Sequence, residues 1–427
     1  MSRSRLLRAV GPAILLAAGG AYALASLDWC GRWPEDPPRL LARESGDGAL
    51  RAGAARVQLS PPYPVVRAGY GPPRPEARRS DSPLYARALV VEAGGVRFGI
   101  VSADLLLVPG DLARELRDSA SRLGISELWV SATHAHSSFG GFDPALLPEL
   151  AGTGRFRADV RAALLGGCSQ ALEKAAAALR PSRWEVGAGA APELALSRQG
   201  GEEPDARLTR IRISSGAEQV AQLVVFGAHP TLHPRDDVLS PDYPGFLEAE
   251  LEAEGGVAIF LPGAVGNTMP QAPDKASSTP GRFASLLLAH VRAIALAPER
   301  EHLGFARVLV PLPRPDSGRL VPRLAKRAGD NLLCASAPRA AELSLVELGN
   351  LRLLAIPGEI TAPAATPLEQ AAGARAVSGV GGYLGYVERG DLARAGLGES
   401  PRQYFGPGLD EALLRGARVA AGALSGK

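Results

Sequence analysis

A hairpin that runs into a helix and then a further strand limits this chain more than any other stretch. Leu84 to Glu92 is rich in Val and Leu, Ala93-Gly94-Gly95 turns the chain, and Val96 to Leu107 returns with the same character. Two β-branched and aliphatic arms around paired glycines read as an antiparallel hairpin with at least one buried face. A helical pattern at about Asp111 to Leu123 and a strand from Leu128 to Ala132 follow. Hairpins combined with strand–helix–strand units predict an α/β fold of layered mixed β-sheets with flanking helices.

The remainder repeats these ingredients without a detectable sequence repeat. A long Ala/Leu-rich helix is expected over 157–179, strands at 207–213 and 219–226, a helix after Pro244 and a strand at 257–261. A helix at about 282–297, a hairpin of Leu343–Leu348 and Leu351–Ile356 around Gly349-Asn350, and a helix at about 409–423 complete the pattern. At 427 residues the length allows two or three domains. No late shift in composition marks a second one, so residues 51–427 read as a single large domain. Gly 50 and Pro 36 together make turns and irregular loops abundant.

Charge and aromatic content exclude one class of partner. A net charge of +3 is too small for a nucleic-acid footprint, and aromatics at 5% are too scarce for a base-stacking platform. Arg3, Arg5 and Arg8 precede an apolar run from Ala9 to Leu24, and Ala23-Leu24-Ala25 offers a small-residue cleavage site. Residues 1–27 are therefore expected to be a signal peptide or N-terminal membrane anchor, and residues 28–50 a Pro- and charge-rich linker. Export, with membrane association through the N-terminal segment, follows from that reading. Cys30, Cys168 and Cys334 allow at most one disulfide, and Cys168 reads as a small buried helix residue.

Four of the six histidines fall at the exits of expected strands. In Thr133-His134-Ala135-His136-Ser137-Ser138-Phe139-Gly140-Gly141, continued strand alternation would turn both rings to one side. Such a pair either binds one metal, or binds with one ring and moves protons with the other. In Gly227-Ala228-His229-Pro230-Thr231-Leu232-His233-Pro234, the prolines exclude a helical His-x-x-x-His site. His229 is the ligand candidate and His233 a loop or substrate-edge residue. His290 and His302 read as structural. A carboxylate follows a buried strand at Pro357-Gly358-Glu359, and Gly379 to Val387 holds Tyr383 and Tyr386 in a Gly-rich stretch.

In order, Tyr85–Val91, Val101-Ser102-Ala103-Asp104, Thr133–Ser137, His229-Pro230-Thr231, Ser240–Gly245, Pro262–Asn267, Pro357-Gly358-Glu359 and Tyr383–Val387 form a sequence of motifs. This sequence resembles the catalytic N-terminal domain of the neutral/alkaline, non-lysosomal ceramidases over roughly residues 52–420. The resemblance implies a zinc-dependent amidase that cleaves the N-acyl bond of ceramide or a related N-acyl lipid through zinc-bound hydroxide. It makes His134, His229, Glu359 and Tyr386 the Zn2+ ligands, His136 a substrate-facing catalytic residue, and Arg198 a residue at the border of the site. Asp104 and Asp242 are expected as acceptors behind the ligand imidazoles. Where the family has Gly-Asp-Val-Ser-Pro, this chain has Gly266-Asn267-Thr268-Met269-Pro270, so Met269 replaces a serine and Asn267 an acid. A family tyrosine aligning near Gly398 is absent, and the family's C-terminal immunoglobulin-like domain is not expected here. Two alternatives stand beside the amidase: a catalytically weakened, envelope-anchored metal- and lipid-binding homologue, and a metallohydrolase acting on a different amide or ester.

Overall fold

The structure is a computed structural model that describes residues 16–20, 22–23, 26–200 and 202–425. The expected leader over 1–27 lies largely outside the described residues. Among these, no helix is long and apolar enough to cross a membrane.

The chain first lays down β1 (Arg39–Asp47), an edge strand of the last sheet, and then builds one topology three times. In the first unit, β2 (Arg51–Leu59), β3 (Leu84–Ala93) and β4 (Val96–Ala103) pair antiparallel in sequence order. Helix α1 (Gly110–Ser121) then crosses over to β5 (Glu127–Ala132), which pairs parallel to β4, and α2 (Ala158–Ala177) follows. The second unit repeats this with β6 (Arg183–Ala190), β7 (Arg207–Ser215), β8 (Glu218–Phe226), α3 (Asp242–Glu252), β9 (Val257–Pro262) and α4 (Pro280–Ala293). The third uses β10 (His302–Pro311), β11 (Ala340–Leu348), β12 (Leu351–Ile356), α5 (Ala362–Ala372), β13 (Arg375–Ser378) and α6 (Leu409–Leu424). β1 extends this third sheet by pairing antiparallel with β10.

Period-two alternation explains how the sheets stack. Leu89 and Val91 of β3 join Ile211, Leu223 and Ile259 of the second sheet and Phe305, Val346 and Leu353 of the third in one central core. The neighbours on the opposite faces go outward: Ala88 and Val90 pack against Leu164, Cys168 and Leu172 of α2. Val224 and Phe260 meet Leu247 of α3 and Leu287 of α4, and Val308 and Leu345 meet Leu413 and Ala417 of α6. Three sheets therefore enclose a dry axis, each with its own helices outside. Each fully buried Val, Leu, Ile or Phe on that axis contributes about 1.5–3 kcal/mol. The expected layered, mixed α/β architecture is present, and no immunoglobulin-like sandwich occurs among the described residues.

The expected linker is a correction. Within 28–50, β1 is hydrogen-bonded along β10, the Trp33 indole donates to Leu312 O at 2.7 Å, and Cys30 is disulfide-bonded to Cys334. Charged side chains are tolerated in β1 because it is an edge strand with exposed positions. Cys168 is buried without a disulfide, as expected.

One buried ion cluster ties the first unit to the second. Arg87 on β3 meets Asp104 at 3.1 Å, Glu248 at 2.8 Å and Glu252 at 2.9 Å, the last two on α3. Burial pushes the Glu248 carboxyl well above its usual range despite the facing guanidinium. Arg87→Met would leave Asp104 and Glu248 without a cation, while Glu252 would keep Arg56. We expect a loss of about 3–5 kcal/mol in a urea-unfolding experiment, the cost of breaking a buried pair from one side.

Candidate metal centre

The three histidines, Glu359 and Tyr386 leave the carboxyl ends of the parallel strand pairs, where open α/β sheets bind ligands. His134 and His136 follow β5 in the first unit, His229 follows β8 in the second, Glu359 follows β12 and Tyr386 follows β13 in the third. The three topological units thus each send residues to one end of the central axis.

The local geometry differs from continued strand alternation. β5 ends at Ala132, and His134 adopts a left-handed backbone with φ +68. Its neighbours are pinned by Thr133 N donating to Ala103 O and Ala135 N donating to Leu105 O. It is this kink that brings the His134 and His136 ring centres to 4.9 Å. Gly69, at φ +102, lies so close to His136 that a Cβ would fall 2.7 Å from its Cα. In the third unit, Glu359–Ile360 and Tyr386–Val387 form a two-residue parallel ladder in which Glu359 is registered with Tyr386. Gly266 packs against that ladder with no room for a side chain, since its Cβ would lie 2.8 Å from Glu359 O.

Each imidazole is oriented by a main-chain carbonyl. His134 Nδ1 lies 2.8 Å from Leu106 O, His136 Nδ1 2.9 Å from Gly69 O, and His229 Nδ1 3.1 Å from Thr268 O. A carbonyl only accepts, so each Nδ1 carries the hydrogen and each neutral ring presents an Nε2 lone pair. Burial, reinforced by the neighbouring rings, holds the His136 imidazole well below its usual pKa, and burial also lowers His229. Burial alone would raise the Glu359 carboxyl, but the charge that the His134 and His229 rings carry when protonated pulls it well below its ordinary range; a metal ion among the same atoms would exert that pull on a carboxylate facing neutral rings.

The result is a set of acceptors facing one another. His229 Nε2 is 3.1 Å and His134 Nε2 3.5 Å from Glu359 Oε2, His136 Nε2 is 3.3 Å from His134 Nε2, and Tyr386 Oη is 3.4 Å from His229 Nε2. The Nε2 lone pairs and the Glu359 carboxylate repel at these separations unless a cation lies among them, whereas the Tyr386 hydroxyl can also donate to His229 Nε2. Tetrahedral zinc with N and O ligands at about 2.0–2.1 Å requires ligand atoms about 3.3 Å apart, which the observed spacings match. His134, His136 and His229 alone already hold their ligand atoms within 4.8 Å of one another. The donor set fits a divalent ion of zinc's character.

Around the cluster, Arg198 donates to Tyr386 Oη at 2.9 Å and lies 3.5 Å from Glu399. It is positioned by the short strand Ala195–Ser197, paired with Thr268–Pro270, and by Arg198 N donating to Asn267 O at 2.8 Å. Burial pushes the Tyr383 and Tyr386 phenols well above their usual pKa, and the Glu359 charge adds to this. Tyr383 is the contributor that sequence reasoning left undecided. Its hydroxyl donates to Glu359 Oε1 while Tyr386 faces the histidines, so the motif uses both tyrosines. Tyr70, whose ring lies 5.4 Å from that of His136, was missed; the glycines on either side of it were the available signal.

Two expectations are corrected. Asp104 does not back a ligand imidazole, because Arg87 and Tyr85 N occupy it. Asp242 accepts instead from the main-chain N–H groups of His233 and Tyr243. Carbonyls take the role assigned to these acids. His233 lines the cavity wall but bonds Asp81 at 3.0 Å, and His290 and His302 contact carboxylates outside the centre, Glu193 for the first and Asp47 and Glu347 for the second.

The centre forms the floor of a cavity of about 810 Å³ that also exposes Leu106, Leu107, Leu232, Met269 and Leu320. Asn267, in place of the expected family acid, caps α5 by accepting from Ala362 N at 2.8 Å. Position 398 has φ +60, and a Cβ there would fall 2.3 Å from Glu388 Oε2, so this loop has no place for the family tyrosine.

Fold and centre together describe a layered α/β protein with a buried histidine–carboxylate–tyrosine cluster below a cavity lined by leucines and charged side chains. The same fold occurs in a ceramidase solved in complex with C2, at a TM-score of 0.75 and 20% identity over 89% of this chain and 76% of that one. It occurs likewise in the neutral ceramidase of Pseudomonas aeruginosa, at a TM-score of 0.75 and 20% identity over 88% and 75%. No family model matches the chain, and no curated protein matches it by sequence.

If Tyr383 holds Glu359 in place, Tyr383→Phe should weaken zinc binding about 10–100-fold, as loss of a partner to a ligand typically does. Competition with a chromophoric chelator measures it; unchanged affinity would remove Tyr383 from the site.

Proposed function

We propose that the protein is a metal-dependent amidase that hydrolyses the bond between a fatty acyl group and the nitrogen of ceramide or a related N-acyl lipid. The observation that carries this reading is the ring of mutually facing acceptor atoms around Glu359 Oε2 at the floor of a cavity lined by leucines and charged side chains. The ceramidase fold supports the choice of an amide as substrate.

His134, His229, Glu359 and Tyr386 would hold Zn2+ through a mixed set of N and O ligands. When bound, such an ion polarises a carbonyl and makes water a usable nucleophile at neutral pH. His136 is assigned the proton work. Its Nδ1–H is fixed on Gly69 O, so Nε2 is the atom that accepts a proton and returns it to the departing amine. Arg198 brings a fixed positive charge beside Tyr386, suited to the oxygen charge that develops when the carbonyl is attacked. The leucine-lined wall binds the acyl chain and excludes bulk water.

Met269 favours a second reading, retention of metal and acyl lipid without turnover, because it removes a hydroxyl from the cavity wall. Export is proposed as well. The Cys30–Cys334 disulfide supports an oxidising compartment, which agrees with the basic, apolar N-terminus.

The full-length protein should carry zinc by elemental analysis and release fatty acid from a panel of N-acyl substrates, ceramides included. His229→Ala should lose metal and activity together; a metal-free variant with full activity would sink the mechanism, and zinc without release from any substrate would establish the second reading. His136→Gln separates the roles of the histidines. We expect it to keep its zinc while kcat falls about 10²–10⁴-fold, the range for a lost general base. Loss of zinc in that variant would make His136 a ligand.

A further inference from the structure

Resting on the amidase reading, one feature of the cavity narrows the substrate further. Arg198, Arg235 and Arg402 all line it, and Glu359 of the metal cluster is the one carboxylate among the described lining residues. The guanidinium carbon of Arg235 lies 3.7 Å from the Tyr70 ring centre, and Tyr70 in turn leans on His136. Arg235 is exposed. The acids that follow it do not neutralise it there: Asp236 is paired with Arg67 and His233, and Asp237 is not part of the cavity wall. Across the cavity, Arg402 and Arg198 each lie 5.8 Å from the Tyr386 ring centre and share the single charge of Glu399. The mouth is thus net positive after both glutamates are counted, before any metal ion adds its charge.

With Arg198 turned to the reacting oxygen, a neutral amide leaves Arg235 and Arg402 without a partner of its own. A carboxylate or sulfonate matches the planar fork of a guanidinium and takes charge-assisted hydrogen bonds from it. Met269 meanwhile offers a neutral polar head group nothing to bond. We infer that the preferred substrates are N-acyl amides whose amine half carries an anion, N-acyl amino acids foremost, and that Arg235 and Arg402 determine this specificity. Hydrolysis breaks the amide C–N bond, places the hydroxyl of water on the acyl carbon and a proton on the amine nitrogen, and yields a fatty acid and an amino acid.

The test compares N-dodecanoylglycine, N-dodecanoyltaurine and N-dodecanoylethanolamine, which share one acyl chain and differ in head-group charge, with a short-chain ceramide added. For the zinc-loaded protein, kcat/KM for the anionic amides should exceed that for the ethanolamide by about tenfold or more, the lower end for a charge-assisted hydrogen bond. The ratio should shrink in about 0.5 M salt, where exposed charges are screened. It should also fall toward unity in Arg235→Gln and stay high in Arg235→Lys, which separates lost charge from lost folding. Equal or faster turnover of the ethanolamide or the ceramide would overturn the inference and leave the amidase reading standing. If no amide is hydrolysed, the amidase reading fails, and calorimetry on the full chain decides the inference: tighter binding of the glycine conjugate supports it, equal affinity overturns it.

Discussion

Three main-chain carbonyls govern what this molecule can do. Leu106 O, Gly69 O and Thr268 O each take the Nδ1 hydrogen of one histidine, leaving three Nε2 lone pairs turned inward on Glu359. Backbone acceptors do not titrate and move only with the fold, so the ring tautomers are fixed by topology. Carboxylate acceptors would have added charge to a centre that already holds one buried anion. Asp104 is instead consumed by Arg87, and Asp242 by main-chain N–H groups.

Those carbonyls are in place because of the threefold topology. Leu106 follows β4 and holds the histidine that follows β5; Thr268 follows β9 and holds the histidine that follows β8. In the third unit the exits of β12 and β13 pair directly, Glu359 beside Tyr386. The first two parallel pairs thus supply a functional side chain on one exit and its support on the other, while the third supplies a functional side chain on both. A dry core common to all three sheets fixes these exits relative to one another far better than surface loops could.

Much of this was legible in the chain itself. Strongly apolar segments such as Leu84–Ala93, Glu218–Phe226 and Leu351–Ile356 declare themselves because both faces are buried. β2, reading Arg-Ala-Gly-Ala-Ala-Arg-Val-Gln-Leu, does not, because its alanines and glycine are required by the close approach of α2. A side chain at Gly53 would meet Ala175 O at 2.3 Å. β1 is hidden by edge-strand charges, and α5 by Pro363 and Pro367, although Thr361 and Asn267 cap its start. The ligand candidates were visible as histidines and a glutamate at strand exits. Their carbonyl partners were not, since any residue can offer a carbonyl. The repeat was equally invisible, since only the order of pairing recurs.

Of the departures from the ceramidase sequence pattern, Met269 lines the cavity, while Asn267 and Gly398 lie behind it. Asn267 gives up an acid and serves the α5 N-terminus, Met269 replaces a hydroxyl with a thioether, and the left-handed loop at Gly398 closes against Glu388. None of these touches the histidine rings or Glu359. A centre kept intact while its surroundings are rewritten is the arrangement expected when the bond to be broken stays the same and the group attached to it changes. Met269 faces the same cavity as Arg235 and Arg402, so a thioether stands there beside fixed positive charge.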